Sequence, residues 1–167
     1  MRYVAVIIGL LICSLPLVAQ QTDKERFDAQ ATSMYKQTVP LIYEAEVKAQ
    51  GLENFFILDT REKKEFEVSH IPGAQYAGYL RFQKSTVKNL PKDTPILVYC
   101  SIGVRSEHIG ERLKKMGFEN VQNLYGGIFD WKNNGNEVVD TEGKATENVH
   151  TYDKNWSQWL FKGTKIW

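Results

Sequence analysis

Two runs of consecutive apolar residues, Phe55-Phe56-Ile57-Leu58 and Ile96-Leu97-Val98-Tyr99, constrain the fold more than any other feature of the chain. Neither run alternates with polar residues, so neither suits a sheet with one face in water. Each reads as a strand buried on both faces, the pattern of a parallel sheet between helices. The intervening sequence supplies the helices. Residues 40–50 read as a short helix stopped by Gly51, and residues 62–68 as another. Gln75 to Gly78 is expected to be a short strand, Lys92-Asp93 a turn, and Val121 to Leu124 the next strand. In residues 105–116, Ile109, Leu113 and Met116 fall on one helical stripe, and Gly117 is the stop. Strands alternating with helices define an α/β fold with a central, mostly parallel sheet and helices on both faces. In such sheets ligands sit beyond the carboxyl ends of strands, which is where Asp59 and Cys100 fall.

Cys100 closes the second apolar run and opens the loop Ser101-Ile102-Gly103-Val104-Arg105, which leads straight into the Ile109 helix. The first N–H groups of a helix lack partners within it, and together with the helix dipole they favour a nearby negative charge. A thiol placed there is expected to hold its thiolate form, the nucleophilic one. A cysteine that merely ends a buried strand would be inert. Gly103 and Arg105 favour the reactive alternative, because a core thiol does not need a cation on a polar turn.

The residues around this thiol resemble the rhodanese (sulfurtransferase) family at three places. The first is the loop Cys100, Gly103, Arg105, Ser106. The second is the upstream stretch Asp59, Arg61, Glu65, Phe66, His70, Ile71, Gly73, Ala74, and the third is Tyr125, Gly126, Gly127, Trp131. The resemblance covers about residues 38–135 and implies a rhodanese-like three-layer fold. It implies a sulfurtransferase in which Cys100 accepts sulfane sulfur from thiosulfate, polysulfide or a persulfide and passes it to a thiol or cyanide. The loop amides from Ser101 through Ile102, Gly103, Val104 and Arg105 to Ser106 would form the anion cradle. Arg105 would hold an anionic donor at the rim. Arg61 would join it there or pair with Asp59 or Glu65. Asp59 and His70 would order the loops, and Ser106 would cap the helix or donate to the persulfide. Two positions depart from the family pattern: Ser69 stands where Gly is usual, and Ser101 where thiosulfate-specialised members carry a cation. The second departure argues for weak use of thiosulfate and better use of less charged donors.

Other chemistries fit less well. His70 lies in a Pro-Gly turn, His108 falls off the apolar stripe and is expected to face solvent, and His150 is far along the chain, so no Cys–His pair is read. Apart from Cys13 in the N-terminal apolar run, one thiol and three scattered histidines lack metal-ligand spacing, and no metal or cofactor is implied. Gly103 stands where a thioredoxin-like exchange would need a second cysteine. A phosphatase or arsenate reductase needs Cys-x5-Arg, and this loop is one residue shorter. A rhodanese-like module without catalysis commonly lacks the cysteine that this chain keeps. Lys plus Arg total 21 against 20 Asp plus Glu, with no basic run, so nucleic acid is not an expected partner. The implied partners are a small-molecule sulfur donor and a thiol acceptor, a protein thiol included, and the chain is expected to act as a monomer.

The ends of the chain bear on compartment and organisation. Arg2 followed by the apolar run from Tyr3 to Ala19 reads as a signal peptide over residues 1–20, too short and interrupted by Ser14 and Pro16 for a spanning helix. An uncleaved anchor is the alternative. Cleavage would remove Cys13, leave no stable membrane insertion and place a protein with the single thiol Cys100 in the periplasm or outside the cell. Residues 21–37 are read as a polar extension, helical at best. The resemblance implies a rhodanese-like domain over residues 38–136. Residues 137–167 form an aromatic-rich tail in which Tyr152, Trp156, Trp159 and Leu160 lie near helical spacing, expected to fold back on the domain as an amphipathic segment.

Overall fold

The computed structural model describes residues 21–167. The signal-peptide reading of residues 1–20, with Cys13, lies outside the described residues. Helix α1 (Asp23–Met34) precedes β1 (Leu41–Ile42) and α2 (Glu44–Gln50), then β2 (Phe56–Asp59), α3 (Lys63–Val68) and β3 (Gln75–Tyr76). There follow β4 (Ile96–Tyr99), α4 (Val104–Lys115), β5 (Val121–Leu124) and α5 (Gly127–Asn133). A tail of short strands ends the chain: β6 (Val138–Val139), β7 (Ala145–Thr146), β8 (Asn148–His150) and β9 (Thr164–Ile166). The main sheet has the order β1-β5-β4-β2-β3, and every pairing in it is parallel.

The two apolar runs form its central strands, and they have no polar positions because both faces are covered. Leu97 and Tyr99 of β4 and Ile57 of β2 point to one core, with α1, α2, α5 and the tail. Ile96, Val98 and Leu58 point to the other, where Ile109 and Leu113 of α4 and Phe118 meet them. This is the period-two alternation of a pleated strand between two apolar layers. Burying a side chain of this size contributes about 1.5–3 kcal/mol, so the two layers carry most of the stability.

Four local expectations differ from the structure. Residues 40–50 begin as an edge strand, β1, because Pro40 and Ile42 carbonyls accept from Asn123 and Tyr125 of the β5 segment; helix starts only at Glu44. The extension is a full helix, since Thr22 and Glu25 form a capping box and Phe27 and Ala31 are buried. Phe27 also meets Trp159 and Phe161 of the tail edge-to-face, with centroids 6.3 Å apart in each case. The tail packs on the domain, but not as a helix. Trp156–Trp159 makes a single 3-10 turn between the parallel pair β8 and β9, with Tyr152 before it at φ 70° and Leu160 extended after it. Finally, His108 is half-buried, its Nδ1 lying 2.9 Å from the Tyr79 hydroxyl.

Candidate active site

Cys100 sits at the carboxyl end of β4, where the chain leaves the sheet and α4 begins. The turn is made by Gly103 at φ 100°, a left-handed conformation that glycine adopts without strain. A Cβ there would also collide with Tyr35, 2.5 Å from its hydroxyl oxygen. This conformation aims the Gly103 N–H at Cys100 Sγ over 3.1 Å. A backbone donor fixed on the sulfur, at the start of a twelve-residue helix, favours negative charge on that atom.

The loop is held from three sides. Tyr35, at the end of α1, donates its hydroxyl to the Ile102 carbonyl and accepts from the Gly126 N–H over 2.9 Å. Burial pushes the Tyr35 phenol above its ordinary pKa, so it stays a neutral donor. From the second side, the N-terminus of α5 reaches in: Ile128 N–H donates to the Cys100 carbonyl (2.9 Å) and Phe129 N–H to that of Ser101 (3.1 Å). Gly127 makes this approach possible, because a Cβ there would lie 2.3 Å from the Cys100 carbonyl oxygen. From the third side, Glu65 of α3 receives Arg105 Nη1 and Nη2 over 2.8 Å each, and the Ser101 hydroxyl and the Glu62 N–H as well. Burial works to raise the Glu65 pKa, but the bonds and charge of Arg105 outweigh it and hold the carboxyl below its ordinary range.

A cavity of about 390 Å³ opens over Cys100. Ser101, Ile102, Val104 and Arg105 of the loop line it. So do Met34 of α1, Glu62, Tyr79 and Leu80, and Tyr152 and Trp156 of the tail. Arg105 reaches this wall with its guanidinium bidentate on Glu65 and one face 5.5 Å from the Tyr152 ring centre.

The structure bears on two further sequence-derived roles. Arg61 takes the structural one of its two readings, the ion pair with Asp59. It is fully buried, bound to Asp59 through Nε and Nη2, with Nη2 also donating to the Ser69 carbonyl at 2.6 Å. The Tyr99 hydroxyl completes this buried pair by donating to Asp59. Ser106 does not cap α4, and its hydroxyl is bound elsewhere than on the sulfur. It is buried and donates to the Asn123 side chain, while Gly103 occupies the cap position. His70 stacks on Phe66 with ring centres 4.0 Å apart and exchanges backbone bonds with Val139, away from the cavity. Ser69 takes an extended φ of −170°, open to any residue, so its departure from the family pattern leaves the turn unstrained.

The rhodanese-like domain family matches residues 43–134, more than half of the chain. The chain belongs to that family. It is 33% identical over 99 residues to the thiosulfate sulfurtransferase GlpE of Coxiella burnetii, covering 59% of this chain and 89% of that protein. The rhodanese-like domain of Anabaena Alr3790 superposes with a TM-score of 0.55 at 28% identity, over 60% of this chain and 79% of its own. The BH2092 protein of Bacillus halodurans gives a TM-score of 0.55 at 26% identity, over 69% of this chain and 86% of its own. Met34, Tyr35, Tyr152 and Trp156 all lie outside the matched residues, so the family pattern gave no signal for them. The signals from which these segments could have been read as ordered are the Thr22-x-x-Glu25 spacing of a capping box for α1 and the cluster of aromatics for the tail.

Proposed function

We propose that the protein is a sulfurtransferase that carries sulfane sulfur as a persulfide on Cys100. The observation that carries this reading is the Cys100 sulfur at the base of an open cavity, with the Gly103 N–H 3.1 Å away. In the first half-reaction the Cys100 thiolate attacks the terminal sulfur of the donor. The donor's S–S bond breaks, and its electron pair leaves with sulfite when the donor is thiosulfate, or with a thiolate when the donor is a persulfide. In the second half-reaction an acceptor thiolate or cyanide attacks the outer sulfur of the persulfide, and the electron pair of that S–S bond returns to Cys100. No external oxidant, reductant or base is needed once the thiolate is formed. The loop amides and the α4 terminus favour the anionic sulfur in both steps.

The same geometry supports donors of low charge. Arg105 has its charge compensated by Glu65, and Arg61 is sequestered by Asp59. A dianion such as thiosulfate therefore meets no free cationic partner among the described residues lining this cavity, and a missing charge-assisted hydrogen bond costs about 1.5–3 kcal/mol. Slow thiosulfate:cyanide turnover follows, with better use of polysulfides and thiol persulfides. We further infer export, with residues 1–20 as the signal; N-terminal sequencing of the processed protein tests this, and retention of Met1 in membrane fractions contradicts it.

Cys100→Ser tests the catalytic assignment. The variant keeps the fold, because a hydroxyl replaces a thiol that has no disulfide partner among the described residues. Its sulfur transfer to cyanide falls to background; turnover near the wild-type rate overturns the assignment.

A further inference from the structure

Residues outside the family match help to line the Cys100 cavity, and those of the C-terminal tail, Tyr152 and Trp156, are aromatic. Tyr152 and Trp156 line it together with the apolar side chains of Met34 and Leu80. Tyr152 is unusual in its backbone. It holds φ 70°, a left-handed conformation uncommon for a residue of its size. The strain is maintained by its surroundings: its N–H donates to His150 Nδ1 over 3.0 Å, and Asp153 N–H closes on the Thr151 carbonyl over 2.9 Å. The parallel pairing of β8 with β9 fixes the segment on both sides. The strained conformation sets a half-exposed ring over the Arg105 guanidinium at 5.5 Å, instead of in the core. Strain of this kind persists where surrounding structure imposes it, often at ligand sites.

The cavity is also large for a small inorganic anion. At about 390 Å³ it falls within the range of about 300–1,000 Å³ usual for organic ligands. Its charged edges are Arg105, already paired, and Glu62, which repels anions. We propose that the C-terminal segment makes this site selective for sulfane-sulfur donors with an apolar, ring-sized organic body, and that Tyr152 and Trp156 determine that selectivity. The inference rests on the sulfurtransferase reading and names its substrate class. An aromatic or aliphatic body packs between Tyr152, Trp156 and Leu80, and places the donor's terminal sulfur on Cys100.

Benzenethiosulfonate and methanethiosulfonate isolate this effect, since both are monoanions that react by the same step. The Cys100 thiolate attacks the terminal sulfur, the S–S bond breaks, and the electron pair leaves on the sulfinate while Cys100 becomes a persulfide. Each donor's kcat/KM, with cyanide as acceptor, is divided by its rate with 2-mercaptoethanol to remove intrinsic reactivity. The wild-type ratio of benzene to methane donor is expected to be at least about 10, the effect of burying a ring-sized apolar group. Tyr152→Asn, whose side chain tolerates the left-handed backbone, and Trp156→Leu each bring the ratio below about 3, through KM for the benzene donor. A wild-type ratio near unity, or a ratio unmoved in both variants, overturns the inference while the persulfide mechanism stands. Failure of both donors to load Cys100 in the wild-type protein overturns the two together.

Discussion

The buried Asp59–Arg61 pair separates a structural role from a donor-binding one. Both side chains are fully excluded from solvent. Arg61→Leu removes the Nε and Nη2 bonds to Asp59 and the bond to the Ser69 carbonyl. Asp59 then keeps the Tyr99 hydroxyl and the Arg61 backbone N–H but has no counter-charge. Breaking one side of a buried pair costs about 3–5 kcal/mol, a large part of the ~5–15 kcal/mol that holds a domain together. At about 2–4 °C per kcal/mol for a domain near this size, Tm should fall by about 6–20 °C. Adding Asp59→Asn removes the stranded charge and should recover at least about 1 kcal/mol. The assay is thermal and urea unfolding of the wild type, the single variant and the double variant. KM for thiosulfate is measured well below each Tm and should stay within about twofold of wild type. A roughly tenfold rise in KM with an unchanged Tm would refute the argument and return Arg61 to the donor site.

Other expectations follow from the loop supports. Glu65→Gln frees the Arg105 charge and should lower KM for thiosulfate, measured by steady-state kinetics; an unchanged KM would show that Arg105 does not meet the donor. Because the folded Glu65 pKa lies below the ordinary 4.5, its stabilisation is fully present above that value and is lost as pH falls through the folded pKa. Acid unfolding of Glu65→Gln should accordingly be less steep than that of the wild type in the region below pH 4.5. Tyr35→Phe strands the buried Gly126 N–H and frees the Ile102 carbonyl, at a cost of about 1–3 kcal/mol. It should lower the Cys100 alkylation rate as the loop loosens. Gly127→Ala forces the α5 terminus off the Cys100 carbonyl and should lower both Tm and persulfide loading; wild-type loading would show that the loop does not depend on this contact.

What the sequence revealed and what it hid divides by range. The two apolar runs, the Ile109–Leu113 stripe and the Gly103 turn state their structure locally, through patterning and backbone freedom, and the sheet and thiol position follow from them. The site's supports do not, because each is a contact between distant residues. Tyr35 meets Ile102 across 67 positions, and Glu65 meets Arg105 across 40. Nothing in a two-residue stretch such as Leu41-Ile42 marks it as a strand until β5 lies beside it. Arg61 illustrates the limit from the other side. Its motif named two possible partners, and only burial beside Asp59 chose between them. Tyr152 was legible as an aromatic, but its left-handed backbone, and hence its place over Arg105, comes from the flanking strands.

Intact-mass analysis of the protein tests the central claim most directly. After exposure to a polysulfide or a thiol persulfide and removal of excess donor, the mass should rise by one sulfur atom, and peptide mapping should place it on Cys100. Adding a thiol or cyanide should return the mass to its starting value and release one equivalent of persulfide or thiocyanate. Cys100→Ser should show neither change. An unmodified Cys100 under these conditions, or an added sulfur that no acceptor removes, would contradict sulfur transfer through this residue.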